Sequence, residues 1–179
     1  MSTWIAFFRG INVGGKNSLP MKDLVRELEA LDLRDVRTYI QSGNAVFESP
    51  KKVPATLGAR IASRIEKRHG FKPQVLILSA GALEKAIRSN PFPEAASEPK
   101  SLHFCFLASL PRSPDIDALT AAQTRTERFR LIGQVLYLHT PDGIGRSKLA
   151  ATVEKALGVT VTARNWRTVD SLREMLSSQ

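Results

Sequence analysis

Cysteine is almost missing from this chain: Cys105 is the only one in 179 residues. No intramolecular disulfide can form, which fits a reducing compartment and sets the expectation of a cytoplasmic protein. Long hydrophobic runs are missing too. The apolar stretch at residues 4–8 stops at Arg9, short of the roughly 7–15 residues of a secretory h-region. Nothing approaches the roughly 18 apolar residues of a membrane span, so no membrane role is expected. Histidine is scarce and scattered, at His69, His103 and His139. No metal-ligand spacing, nucleophile elbow or paired-carboxylate pattern occurs. Neither a metal nor a cofactor is expected, and no catalytic residue is nominated. Cys105 alternates with Phe104 and Phe106, the pattern of a buried strand residue rather than a reactive thiol.

Acidic residues are also in deficit. There are 26 Lys and Arg against 17 Asp and Glu, a net charge of +9. Residues 1–90 hold 15 basic and 8 acidic side chains, net +7, and residues 91–179 hold 11 and 9, net +2. Such an imbalance points to an anionic partner, or serves only solubility.

What is present reads as alternating short strands and helices. Residues 3–9 form a strand, and a glycine-rich loop follows at 10–18. Leu24, Val25, Leu28 and Leu31 recur at helical spacing behind Pro20. Residues 36–40 and 44–48 read as a hairpin. A helix over 54–69 carries Leu57, Ile61 and Ile65 and ends at Gly70. A strand at 74–78 and a short helix at 82–88 complete the first half. Pro91, Pro93 and Pro99 mark residues 91–100 as a linker. The order then repeats: strand 102–108, helix 114–122, hairpin 127–139, helix 147–157, strand 159–163 and helix 165–176. The expected fold is α+β: two tandem, duplicated ferredoxin-like βαββαβ units (1–90 and 101–179), each with an extra helix and a largely antiparallel sheet. RNA-binding modules with this element order display aromatics on an open sheet face. Here residues 4–8 and 75–78 are apolar at every position. Continuous apolar strands are buried on both faces, so an open platform is disfavoured.

The most suggestive segment is Gly10-Ile11-Asn12-Val13-Gly14-Gly15-Lys16-Asn17. It matches seven positions of a phosphate-binding G-x-x-x-x-G-K-[ST] loop, between a strand and a helix. Glycines bring backbone N–H groups close to phosphate oxygens, and a lysine adds charge. Asn17 replaces the Mg²⁺-binding hydroxyl, and hairpins imply an antiparallel sheet, so a nucleotide-hydrolysing loop is disfavoured. Two readings stay open: a glycine turn, or an anion-binding loop using Asn12, Gly14, Gly15, Lys16 and Asn17. Asp142-Gly143-Ile144-Gly145-Arg146-Ser147-Lys148 is a second glycine segment opening a helix. Arg146, Ser147 and Lys148 are its anion-site candidates, against an ordinary helix cap. In the segment 162–168, Asn165 can cap the last helix, Trp166 packs inward, and Arg164 suits a bidentate oxyanion contact. Arg60, Arg64, Lys67 and Arg68 form a basic stripe that either tracks a phosphate backbone or is simply solvated.

The sequence resembles the domain of unknown function 1697 family. The resemblance rests on Phe8-Arg9-Gly10-Ile11-Asn12-Val13-Gly14-Gly15-Lys16-Asn17, Tyr39-Ile40-Gln41-Ser42-Gly43-Asn44, Asn90-Pro91-Phe92, and Thr162-Ala163-Arg164-Asn165-Trp166-Arg167-Thr168. It implies a bacterial protein of duplicated ferredoxin-like architecture. It implies no activity, cofactor or catalytic residue. The functional expectation is a non-catalytic binding protein for nucleic acid or another polyanion. The alternative is an enzyme or sensor for a small phosphorylated or carboxylated ligand held by the glycine loops.

Overall fold

The apolar run near the N-terminus becomes the central strand of a sheet. The computed structural model describes residues 1–49 and 52–178. β1 (Ser2–Arg9) pairs antiparallel with β3 (Asn44–Ser49) on one side and β4 (Gln74–Ser79) on the other, and β2 (Arg34–Tyr39) lies outside β3. The order is β2-β3-β1-β4. One face carries Ala6, Phe8, Ala45 and Phe47 against α1 (Met21–Glu29) and α2 (Leu57–His69), through Leu24, Leu28, Leu57, Ile61 and Ile65. On the other face Ile5, Phe7 and Val46 are also fully buried. The unbroken apolar pattern of β1 thus has its physical cause: neither face meets water. A helix α3 (Ala80–Arg88) follows β4, its first turn capped by Ser79 Oγ, which accepts from Ala82 N–H at 3.1 Å.

The second sheet has the order β6-β7-β5-β8, again all antiparallel. Its strands are β5 (Leu102–Leu107), β6 (Arg128–Ile132), β7 (Val135–His139) and β8 (Val161–Asn165). α4 (Ile116–Ala122) is capped by Asp115 and α5 (Lys148–Leu157) by Ser147. Both helices close over Cys105, Leu107, Leu136 and Leu138 with Leu119, Leu149, Val153 and Leu157. The opposite face is aromatic. Phe104 meets Tyr137 edge-on at 4.9 Å, and Trp166, which opens α6 (Trp166–Ser177), lies 5.7 Å from Phe104. The Tyr137 hydroxyl donates to the Ala86 carbonyl at 2.6 Å, so a buried phenol has its partner. The described residues therefore form a mixed α+β fold with two four-stranded antiparallel sheets and six α-helices.

Several boundaries differ from those read in the sequence. β8 lies two residues later because the Glu154 carboxylate accepts the Val161 N–H at 2.9 Å and pairing with β5 then runs to Asn165. The chain divides into two compact units, Met1–Lys85 with Ser171–Gln179, and Ala86–Asp170. The end of α6 belongs to the first because Arg37 Nη1 donates to the Met175 carbonyl at 3.1 Å. The segment 91–100, read as a linker, lies within the second unit and contains a 3₁₀ turn, Pro93–Ser97. Asn90 Oδ1 accepts from Phe92 N–H at 3.0 Å, and Phe92 and Ala95 are buried. Arg128 stacks over the Phe92 ring at 4.5 Å and reaches Glu94 at 2.6 Å. Prolines here shape a packed turn instead of freeing the chain. Among the described residues no helix is long and apolar enough to cross a membrane.

Two buried titratable groups sit in β5. Burial pushes the Cys105 thiol up to about 12, so it is neither ionised nor accessible. A thiol reagent should label the native protein only as fast as the second unit opens, and rapid stoichiometric labelling would contradict this placement. His103 is 8% exposed, and burial lowers its pKa from 6.5 to about 4. The unfolded imidazole takes a proton near pH 6.5 while the folded one resists until about 4. Acid therefore favours the unfolded chain between those values, by up to about 3 kcal/mol. Urea titrations should show stability falling from pH 7 to pH 4, with a shallower fall in a His103→Gln variant. Equal slopes in the two proteins would rule out His103 as the source.

Candidate anion-binding site

The glycine loop leaves the end of β1 and turns back on itself. Val13 and Lys16 form an antiparallel bridge, with Lys16 N–H donating to the Val13 carbonyl at 3.0 Å. Asn12 N–H donates to the Asn17 carbonyl, also at 3.0 Å. Gly14 and Gly15 occupy the two central positions at φ 58° and 71°. This is a two-residue hairpin turn of the primed kind, which demands positive φ at both positions. The glycines are thus explained by the turn itself.

Asn12 anchors the turn. Its side-chain NH₂ donates to the carbonyls of Leu19 and Gln41, both at 2.8 Å, and its Oδ1 accepts from Leu19 N–H at 2.7 Å. Asn17 Nδ2 donates to the Gly10 carbonyl at 2.8 Å. Both asparagines sit at positive φ, a conformation their short polar side chains tolerate. The contact to Gln41 ties the glycine loop to the β2–β3 connection. There Gly43, at φ 95°, accepts from Phe8 N–H at 2.8 Å. A Cβ on Gly43 would lie 2.6 Å from Phe8 Cβ and 2.7 Å from Ile11 Cδ1, so no larger residue fits. Two motif segments, distant in sequence, therefore interlock in the first unit.

The five loop residues named from the sequence do come together, but their polar atoms are unequally available. The side chains of Asn12 and Asn17 and the N–H groups of Asn12 and Lys16 are engaged within the loop. Among the described residues, the Gly14 and Gly15 N–H groups have no partner, and the Lys16 side chain is exposed and unpaired. Arg146, Ser147, Lys148 and Arg164 belong to the second unit. Ser147 Oγ accepts from Ala150 N–H at 3.0 Å and is buried as a helix cap, while Arg146 and Lys148 are exposed. Arg164 stands opposite Phe104 in the β5–β8 pairing and donates to the Ala163 carbonyl at 2.9 Å. Burial lowers its pKa to about 10, so it stays cationic at neutral pH. Asn165 Oδ1 accepts from Thr168 N–H at 3.0 Å, and the segment 162–168 is accounted for by the cap and the Trp166 contact.

Two charged clusters escaped the sequence reading. In the second unit, Arg128 lies between Glu94 and His139 Nδ1, at 2.6 and 3.0 Å. Its hydrogen bond lowers the Glu94 pKa, and burial followed by the Arg128 charge lowers that of His139. In the first unit, Glu27 is buried between α1 and α2 and faces Arg64, Arg68 and His69. The available signal was Glu27's position on the apolar stripe between Leu24 and Leu28. The basic stripe of α2 is real in space. One cleft of about 450 Å³ is bordered by Arg60, Arg64 and Lys67, and a second of about 440 Å³ by Arg26, Arg64, Lys67 and Arg68.

Architecture, rather than any recognisable chemistry, defines the class: a mixed α+β protein with two four-stranded antiparallel sheets. The chain belongs to the family described as protein of unknown function (DUF1697), whose model matches residues 1–137. Its fold is similar to that of the conserved bacterial protein SP0830 from Streptococcus pneumoniae. The TM-score is 0.74, with 24% identity over 98% of each chain. No curated protein matches the sequence.

Two polar residues of the loop, Asn12 and Lys16, predict opposite outcomes on substitution. Asn12→Ala removes one acceptor and two donors from the turn and should cost about 1–3 kcal/mol. Lys16→Ala removes an exposed, unpaired side chain and should stay within about 0.5 kcal/mol. Urea unfolding of both variants measures this, and an Asn12→Ala protein as stable as wild type would show that the anchor is dispensable.

Proposed function

We propose that this protein binds polyanions without catalysing a reaction, and that nucleic acid is the class of polyanion it fits best. The observation that carries this reading is the basic face of the first unit. Arg26, Arg60, Arg64, Lys67 and Arg68 border two neighbouring clefts that share Arg64 and Lys67. Arg60, Lys67 and Arg68 are exposed. Side chains held along one helix can meet successive phosphates, and each contact releases counterions. The net +7 of residues 1–90 adds a longer-range attraction.

The same reading takes the two units as copies of one ferredoxin-like βαββαβ element. Their identical strand orders, each second-third-first-fourth within its own unit, support this. A second functional reading rests on the turn at Gly14 and Gly15. Two free N–H groups beside Lys16 suit a small phosphorylated or carboxylated ligand, as for an enzyme or sensor.

Salt dependence separates the two. Binding of a single-stranded oligonucleotide through about four phosphate contacts should give a slope of log K against log salt near −3. Replacing Arg60 and Lys67 by Gln should flatten that slope by about 1.4 and leave the fold intact. An unchanged slope, or no binding at low salt, would refute the polyanion reading. Mild salt dependence abolished by Lys16→Ala would instead favour the small ligand.

A further inference from the structure

Glu27 is a carboxylate out of water, with a side chain 8% exposed. A buried charge persists only when it is paired. Its Oε2 lies 2.6 Å from Arg64 Nε, and its Oε1 lies 3.7 Å from Arg68 Nε and 3.4 Å from His69 Nε2. The Arg64 contact falls outside hydrogen-bond angles, so charge rather than a directed bond holds the pair. Both guanidinium groups meet Glu27 through the same atom, Nε. A guanidinium has five N–H donors, four of them on its two Nη atoms. Among the described residues, no Nη atom of Arg64 or Arg68 has a protein partner.

Both arginines line the 440 Å³ cleft, together with Lys67 and Arg26. Asp23 also borders it and is paired with Arg26 at 3.3 Å. Cations in the last turn of α2 would complement the carbonyl end of the helix in any case. That effect does not require a buried acid beneath them, nor two guanidinium groups whose inner edges face it. Two Nη forks offer more donors than the two oxygens of one carboxylate can take in a single plane. A tetrahedral phosphate, with oxygens in several directions, suits them better.

We propose that this cleft is a phosphate clamp, in which Arg64 and Arg68 present their Nη groups to one phosphate and Glu27 is the positioning residue. The proposal rests on the polyanion reading and names where one phosphate of that ligand sits.

The test is calorimetric titration of the full chain with three probes: inorganic phosphate, a 5′-phosphorylated oligonucleotide, and the same oligonucleotide without its terminal phosphate. Inorganic phosphate should bind at low salt. Arg68, with a side chain 64% exposed, can be changed without disturbing the core. Arg68→Gln should weaken phosphate binding about tenfold, the loss of one charge-assisted fork. Arg68→Lys keeps the charge but not the fork and should fail to restore it. Glu27→Gln should shift the Arg64 Nε–Hε resonance in ¹⁵N spectra toward that of a free arginine. A stronger response to the 5′-phosphorylated oligonucleotide assigns the clamp to terminal phosphates, and equal responses assign it to the backbone. If oligonucleotides bind but phosphate does not, or if Arg68→Lys binds phosphate as wild type does, the clamp is wrong while the polyanion reading stands. If phosphate binds with the expected variant effects but oligonucleotides do not, the clamp stands and the polyanion reading falls. An unmoved Arg64 resonance in Glu27→Gln would remove Glu27 from the positioning role.

Discussion

A strand buried on both faces must pass its polar backbone to neighbours wherever it stops, and β1 imposes that condition on the first unit. Phe7 and Phe8 are fully buried on opposite faces, and the Phe8 N–H is taken up by the Gly43 carbonyl. This places the β2–β3 connection against the start of the glycine loop with no room for a side chain at Gly43. The loop can then leave only as a tight reversal. Asn12 secures it by holding both polar groups of the Leu19 backbone. Leu19 is itself buried, so the anchor fixes the entry to α1 as well. The orientation of α1 in turn sets Glu27 over α2.

The second unit uses the same strand order with a different solution to burial. β5 is flanked by helices on the Cys105 face and by Tyr137 and Trp166 on the Phe104 face. Three polar groups there have partners within the unit. Tyr137 reaches a carbonyl, and Asn165 and Ser147 cap helices. Glycine loops and asparagines that resemble ligand sites in a sequence can therefore be consumed by architecture. Charges that remain outside such bonds include Arg60 and Lys67 on α2 and Lys16.

Much of the fold could be read before any coordinates. Apolar alternation, helical spacing and turn residues located the eight strands and six α-helices of the described residues to within a few positions, because these signals are local. The burial of both faces of β1 was also legible, from its unbroken apolar run, whereas β4, read the same way from residues 75–78, is only half-buried. The loop at 10–18 was recognised, but not which of its polar groups were engaged. That depends on Gln41 and Leu19 being nearby, which no local pattern encodes. The segment 91–100 was misjudged for a related reason. Its prolines are visible in sequence, whereas the Arg128 stack that packs Phe92 comes from a strand far along the chain.

Composition alone determined that this is a basic chain with one thiol and no intramolecular disulfide. Period-2 and period-3.6 apolar patterns determined which segments are strands and helices, since backbone geometry makes those periods obligatory. Only the tertiary structure decided that Asn12 is an anchor, that Ser147 is a cap, and that Arg64 and Arg68 share a buried carboxylate. Side-chain roles of that kind follow from distances between residues remote in sequence. A charged or amide group has the same identity in the sequence whether its partners are water, a backbone carbonyl or a neighbouring helix, and packing selects among them.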